Sequence, residues 1–238
     1  MKNSSRIQVV KVLEPSVREE VLEVIREVYI QEKNWVKDPQ QEIEKNLRGN
    51  DRVSWFLARY EGVPVGALRL FYDPPLQMPE EFEVTLNSDI DVEELAAQGR
   101  FVDIGRFMIM PRYRSKLIIA IRLMKSAIQE VVERDYTHFI TDVFEGEPTS
   151  PLNFHKRVLG FEVIGKHLYG ELNCRCTRII LTLDILNAYQ RIKTRKNAFY
   201  DVLTDGISGI LDRKLELRMK KGKSGFKSVN KRIKQGNL

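Results

Sequence analysis

Apolar residues along this chain recur at two periods, and the switches between them mark out the elements. Val17, Val21, Val24, Ile25 and Val28 repeat at the three-and-four spacing of a helix that buries one stripe. Ser16 and Glu19 just ahead have the Ser-x-x-Glu form of a capping box, so a helix is predicted from Ser16 to about Tyr29. Ile7 to Leu13 before it reads as a strand. Asp38-Pro39, an N-cap acceptor followed by proline in the first turn, predicts a second helix through Leu47. Ser54 to Tyr60 and Val63 to Tyr72 are strand-like, and Glu61-Gly62 between them is a hairpin turn. Phe101 to Met110 is a strand, and Ser115 to Glu133 a helix with Leu117, Ile121, Met124, Ile128 and Val131 on one face. Thr137 to Phe144 is the next strand, Pro151 to Leu159 a short helix, and Phe161 to Leu168 with Arg175 to Ile185 a strand pair. This order predicts an α/β domain with a mixed, mostly antiparallel central sheet flanked by helices.

Two stretches depart from the pattern. Asp73 to Arg100 carries Pro74, Pro75 and Pro79, eight acidic residues and one basic residue. A connection that long is either functional or disordered. After Asn187 the chain turns helical in character from Tyr189 to Leu217, interrupted by Gly206 and Gly209. From Met219 it is lysine-rich with few apolar anchors, the composition of a loosely ordered tail. The division predicted is a domain over 1–185 and a basic, mainly helical extension over 186–238.

Charge sharpens that division. The net charge is +6, yet the extension holds fourteen Lys and Arg against four Asp and Glu, which is +10 and leaves −4 on the domain. Its basic character therefore speaks about the tail alone. Docking to an acidic carrier protein, contact with an anionic membrane surface and a merely solvated tail all fit. Nucleic acid fits less well, because aromatics are sparse there beyond Phe199, Tyr200 and Phe226.

The longest apolar runs fall far short of the roughly 20 residues that cross a bilayer. Met1 to Val12 lacks the apolar stretch and small-residue cleavage site of a secretory leader. Two cysteines, Cys174 and Cys176, and three histidines make a poor disulfide or metal framework. The expectation is a cytoplasmic protein with ordinary thiols, no metal site and no permanently bound cofactor.

Candidate chemistry concentrates in two segments. The first is Val102-Asp103-Ile104-Gly105-Arg106-Phe107-Met108-Ile109-Met110-Pro111-Arg112-Tyr113-Arg114, running into a helix. The second is Asn153-Phe154-His155-Lys156-Arg157-Val158-Leu159-Gly160-Phe161. A strand ending in Pro-x-x-Arg, a helix, a strand and Phe-x-x-x-x-Leu-Gly-Phe resemble the acyl-donor half of the GNAT superfamily of N-acyltransferases. In that superfamily the turn after the first strand carries glycines, so that backbone N–H groups close on the pyrophosphate of coenzyme A. Here the turn is Arg114-Ser115-Lys116-Leu117-Ile118-Ile119-Ala120, without glycine.

That departure, with further matches, resembles a branch that takes acyl chains from acyl carrier protein: the acyl-homoserine lactone synthases and long-chain N-acyl amino acid synthases. Arg26-Glu27-Val28-Tyr29 with Trp35, Gly66-Ala67-Leu68-Arg69-Leu70, and Asp103-Ile104-Gly105-Arg106-Phe107 are similar to its motifs. The resemblance implies transfer of a medium or long acyl chain from a phosphopantetheine thioester to a primary amine such as an amino acid. The donor is then acyl carrier protein or acyl-CoA. An acetyl-CoA-dependent N-acetyltransferase and an inactive module that binds membrane or protein partners are the alternatives.

Amine attack on a thioester needs a base, oxyanion donors and a proton for the leaving thiolate. Asp103 is the first candidate base, its other reading being an ion pair with Arg69 or Arg106. Glu145, at the end of the next strand, is a second carboxylate. Arg69 and Arg106 are candidates to grip an acceptor carboxylate, with Trp35 beside them. His155 falls where related enzymes carry a tyrosine that protonates the thiolate; its other reading is a helix residue hydrogen-bonded to Asp142 or water. Arg112, Arg114, Ser115 and Lys116 are candidates for the pantetheine phosphate. His138 and His167 read as structural.

Overall fold

The computed structural model describes residues 6–45, 47, 50–170, 172, 174, 176–195 and 199–220. The lysine-rich tail from residue 221 onward and the start of the strand predicted at Arg175 lie outside the described residues.

The first strand, β1 (Ile7–Lys11), is followed by helix α1 (Pro15–Ile25). Proline occupies the first helical turn and Glu14 the N-cap, with no side-chain cap. The predicted capping box does not form: Ser16 lies inside the helix, because Pro15, with its preset φ and no N–H, already starts it. The helix continues into a π-helical stretch, Arg26–Glu32, which includes Tyr29 and runs three residues past the predicted end. Asp38 does cap its neighbour, accepting from the Gln40 N–H, but the turn is a 3₁₀ segment over Pro39–Gln41 rather than a helix to Leu47.

β2 (Val53–Tyr60) and β3 (Val63–Tyr72) form the predicted hairpin. Glu61 and Gly62, both with positive φ (52° and 84°), make its turn, as a two-residue connection between twisted strands requires. The long acidic connection is ordered. It forms a 3₁₀ turn at Glu80–Phe82, a short strand β4 (Thr85–Leu86) and helix α2 (Val92–Ala97), whose N-cap Asp91 accepts from Glu93 and Glu94 N–H.

β5 (Phe101–Ile109) leads through a 3₁₀ turn at Pro111–Tyr113 into α3 (Leu117–Glu133). After β6 (His138–Phe144), a second π-helical stretch spans Phe154–Leu159 and ends at Gly160, whose φ of 85° closes it. β7 (Glu162–His167) and β8 (Arg178–Asp184) follow, then α4 (Ile185–Thr194), α5 (Tyr200–Thr204) and a last helix, α6, over 208–220.

The eight strands lie in the order β1-β2-β3-β5-β6-β8-β7-β4. Every pair is antiparallel except β5 with β6. One face is covered by α3 and the C-terminal helices, where Leu68, Ile104, Leu123, Phe139, Tyr189 and Leu211 share a core. Described residues of the 186–238 extension thus belong to the main core. The other face carries two separate apolar clusters. Trp55, Ala67 and Met108 pack under α1; Phe101, Ile140 and Ile180 pack under the long connection. Between these clusters the sheet face is charged.

Candidate active site

β5 and β6 pair only from Phe101–Asp103 against His138–Ile140. The Thr141 hydroxyl still reaches across to the Ile104 carbonyl (2.7 Å), and the strands then part. A bulge in β5 coincides with the parting: its register against β3 slips between Ala67 and Arg69, and Arg106 takes a φ of 51°. A left-handed arginine costs about 1–2 kcal/mol, so the surrounding contacts hold it there. Arg106 Nε donates to Glu42 Oε2 (2.5 Å). Glu42 is delivered by a segment that buried Arg18 anchors through the carbonyls of Ile43 and Glu44 (2.8 and 2.9 Å) and the side chain of Gln40 (2.9 Å).

Asp103 sits at the mouth of this wedge, with 24% of its side chain exposed. Arg69 Nη2 donates to Asp103 Oδ2 (3.3 Å), and Arg69 Nε is buried with no partner among the described residues. Burial pushes the Asp103 carboxyl up to about 6, with the Asp142 charge adding to the rise and Arg69 pulling against it. Asp103 is thus ion-paired with Arg69, and its carboxyl is raised toward neutrality by burial. Gly105 makes the pair possible. A Cβ there would lie 2.9 Å from Arg69 Nη2 and 3.3 Å from Asp103 Oδ2.

The sequence reading missed the other half of the cluster. Asp142, two residues beyond Ile140 and on the same face of β6, accepts from His167 Nε2 (2.9 Å) and Arg178 Nη1 (3.5 Å). Burial pushes its carboxyl up, but the His167 hydrogen bond and the Arg178 charge hold it below its ordinary value. The Tyr169 carbonyl lies 2.6 Å from His167 Nδ1, so both ring nitrogens face acceptor oxygens. Tyr29 is buried beside the charges of Arg106, Glu42, Arg69 and Asp142, and burial pushes its hydroxyl up to about 12. Trp35 packs at a tilt between Tyr29 (5.5 Å) and Phe144 (4.2 Å), an aromatic wall next to the cluster. The signal available was a set of polar residues at alternate positions of apolar strands; their convergence needs the strand order.

Other expected residues lie elsewhere. Glu145 is exposed beyond the end of β6. It is five residues along from Ile140, Asp103's register partner, hence roughly 16 Å from the Asp103 site. His155 is 1% exposed and on the α3 side, caged by Phe107, Phe154 and Phe161. Its partner is not Asp142: Nδ1 donates to the Pro151 carbonyl (3.0 Å), which leaves Nε2 as a bare acceptor with no partner among the described residues. Burial pushes its pKa down to about 4, so at neutral pH the ring is uncharged and Nε2 can accept a hydrogen bond but has no proton to give. The sequence expectation of a proton donor to the thiolate is corrected accordingly.

At the donor turn, Arg114 is committed within the protein. Its fork donates to both Glu32 oxygens (2.7 and 2.5 Å) and its Nε to the Ile109 carbonyl (3.0 Å). This differs from the phosphate role expected of it. Arg112 is exposed and 3.5 Å from Glu27. Ser115 is exposed, and Lys116 lies over the Tyr60 ring (5.0 Å). These three flank the start of α3, which has no side-chain cap. No side-chain cap therefore competes with an anion at this helix start.

A family model described as N-acyl amino acid synthase FeeM matches residues 20–178, about two thirds of the chain. The chain belongs to this N-acyl amino acid synthase family. Its fold is similar to FeeM itself, an N-acyl amino acid synthase from uncultured soil microbes, at a TM-score of 0.57 and 17% identity, covering 78% of this chain and 94% of that one. It is also similar to a GNAT-family acetyltransferase from Desulfovibrio desulfuricans (TM-score 0.52, 10% identity, 75% and 98% covered). An N-acetyltransferase from Staphylococcus aureus matches at a TM-score of 0.50 and 10% identity, with 75% and 98% covered. No match was found among curated proteins. The chain is thus an N-acyltransferase built on the GNAT fold, as its motifs led one to expect. Among the described residues no helix is long and apolar enough to cross a membrane, and no cluster of ligands suits a metal ion.

Proposed function

We propose that this protein transfers a medium or long acyl chain from a phosphopantetheine thioester, carried by acyl carrier protein, to the amine of an amino acid. The observation that carries the reading is the Asp103 carboxyl: half-buried, raised to about 6 and held by Arg69 where β5 and β6 part. A carboxylate of that strength is ionised at neutral pH and still basic enough to take a proton from an attacking amine, directly or through water. Arg69 supplies a second handle, its buried Nε being the donor that an acceptor carboxylate would engage. The backbone of β5 past Asp103 is not paired with β6, which leaves it open for N–H donors to stabilise the oxyanion of a bound thioester.

Two features favour the carrier protein over coenzyme A. The turn from Arg114 to Ala120 has no glycine to let backbone close on a pyrophosphate. Arg114 is spent on Glu32, which leaves Arg112, Ser115 and Lys116 for a single phosphate.

The test is mass spectrometry of the protein incubated with a mixed amino-acid pool and either palmitoyl-acyl carrier protein or acetyl-CoA. Long-chain N-acyl product from the carrier-protein donor is expected. Acetylated product from coenzyme A alone would overturn the donor, and silence with both would overturn the reaction.

A further inference from the structure

The acyl transfer above gives Asp103 and Arg69 their tasks and leaves Asp142 without one. Asp142 lies on the same face of β6 as Ile140, the register partner of Asp103, and two residues farther along. It is therefore about 7 Å along and one strand spacing across from Asp103, where β5 and β6 part. Same-face carboxylates at that offset can take hydrogen bonds from one nitrogen.

Asp142 is gripped through one oxygen. His167 Nε2 (2.9 Å) and Arg178 Nη1 (3.5 Å) both meet Oδ2. Oδ1 has no partner among the described residues, and 37% of the side chain is exposed. The two holders are fixed in turn: His167 is 2% exposed and Arg178 4%. The Tyr169 carbonyl lies 2.6 Å from His167 Nδ1, and Arg178 Nη2 donates to the Leu172 carbonyl (3.2 Å). The Arg178 guanidinium also lies over the Phe144 ring (4.8 Å). A rigid socket thus holds a carboxylate with one oxygen left over, beside the base.

Environment sets the two carboxyls apart. Burial, with the Asp142 charge, raises Asp103 to about 6, whereas Asp142 is held below its ordinary value. Two carboxyls split in this way divide the work: one exchanges a proton and the other remains an anion. Acyl transfer to an amine has a use for both. The amino acid arrives as an ammonium ion with three protons. One goes to the Asp103 carboxylate and frees the lone pair. The lone pair attacks the thioester carbonyl carbon, the C–S bond breaks, and the nitrogen, positive again, gives a second proton to the leaving thiolate. The third stays on the amide, and Asp103 returns its proton to water. The nitrogen is thus positive on arrival and again as the C–N bond forms, and a fixed anion beside it stabilises both states.

We propose that Asp142 is the acceptor-binding anion of this enzyme, its Oδ1 holding the amino nitrogen through the attack, and that His167 is the residue that positions it. This rests on the transfer to an amino acid proposed above.

Asp142→Asn keeps an oxygen for His167 and Arg178 and removes the charge. With palmitoyl-acyl carrier protein and the mixed amino-acid pool, its kcat/KM for the pool should fall about 10–100-fold, with the KM for the donor as in the parent. The groups that act on Asp103 are Arg69 of β3, Arg106 of β5 and Asp142 of β6. Without the Asp142 charge the two arginines act unopposed, so the acid limb of the pH profile should move below about 6. His167→Leu should show a similar fall in kcat/KM, and His167→Gln, whose amide can still donate to Oδ2, should recover most of it. Equal losses in the two would deny His167 the positioning role. Independently of turnover, saturation-transfer NMR of the pool over the parent protein should report a bound amino acid, and Asp142→Asn should lose it. Parent-like kinetics and binding in Asp142→Asn would overturn the inference and leave the reaction standing. Binding that depends on Asp142, with no product from any donor, would keep the ammonium site and sink the reaction. Neither binding nor product in the parent would sink both.

Discussion

Asp103 and His155 are both held against their charged forms, yet they act on stability with opposite sign. The Asp103 carboxyl titrates near 3.8 when unfolded and near about 6 when folded. Between those values the native state keeps a proton that the unfolded chain has lost, so stability falls as pH rises and the full cost is present above 6. His155 titrates near 6.5 unfolded and near about 4 folded. Its contribution is complete above 6.5 and is lost as pH falls toward 4. Each displacement is worth roughly 3 kcal/mol, so over about pH 4 to 6 the two offset one another. Urea unfolding should separate them. At about pH 8, Asp103→Asn should be more stable than the parent by roughly 1–3 kcal/mol, and then lose stability steeply on acidification. His155→Phe should show the reverse slope. Parallel pH profiles in the two variants would refute this account. Turnover in Asp103→Asn should drop by about 10²–10⁴, the range for losing a general base.

At the scale of elements, what matters is how closely β3 and β5 approach. Arg69 lies across Gly105 to reach Asp103, and a Cβ at that position would come within 2.9 Å of its guanidinium. Gly105→Ala should push the guanidinium aside. Because Arg69 pulls the Asp103 pKa down, its removal should move the acid limb of kcat/KM above about 6 and raise KM for the acceptor. A pH–rate profile checks this, and an unmoved limb would uncouple Arg69 from Asp103. The elements themselves were largely legible. The hairpin was readable from Glu61-Gly62, and α3 from its apolar stripe, because both are local consequences of backbone geometry. The π-helical stretches that carry Tyr29 and His155 were not. A one-residue change in helical pitch costs little locally and is decided by what the side chains meet.

At the scale of the molecule, the C-terminal helices complete the core. Ile185, Tyr189, Leu203, Ile207 and Leu211 are buried with α3 and the sheet. Each such side chain contributes roughly 1.5–3 kcal/mol, and a whole domain nets only about 5–15. A chain ending at Asp184 should therefore show no cooperative thermal transition by circular dichroism. A sharp transition near that of the full chain would mean that the helices are an appendage.

Read alone, the residues determined the element types, the fold class and the place of Asp103, Arg69 and Arg106 on strands. Each of these follows from short-range patterns: periodicity, turn chemistry and motif spacing. Only the tertiary structure decided which charges meet. Asp142, His167 and Arg178 come from three strands that lie side by side only in the folded sheet order. His155 became a buried acceptor, and Arg114 a partner of Glu32, through contacts with residues far away in the chain. Burial and neighbouring charge set a side chain's protonation, and neither is a property of the residue or of its sequence neighbours.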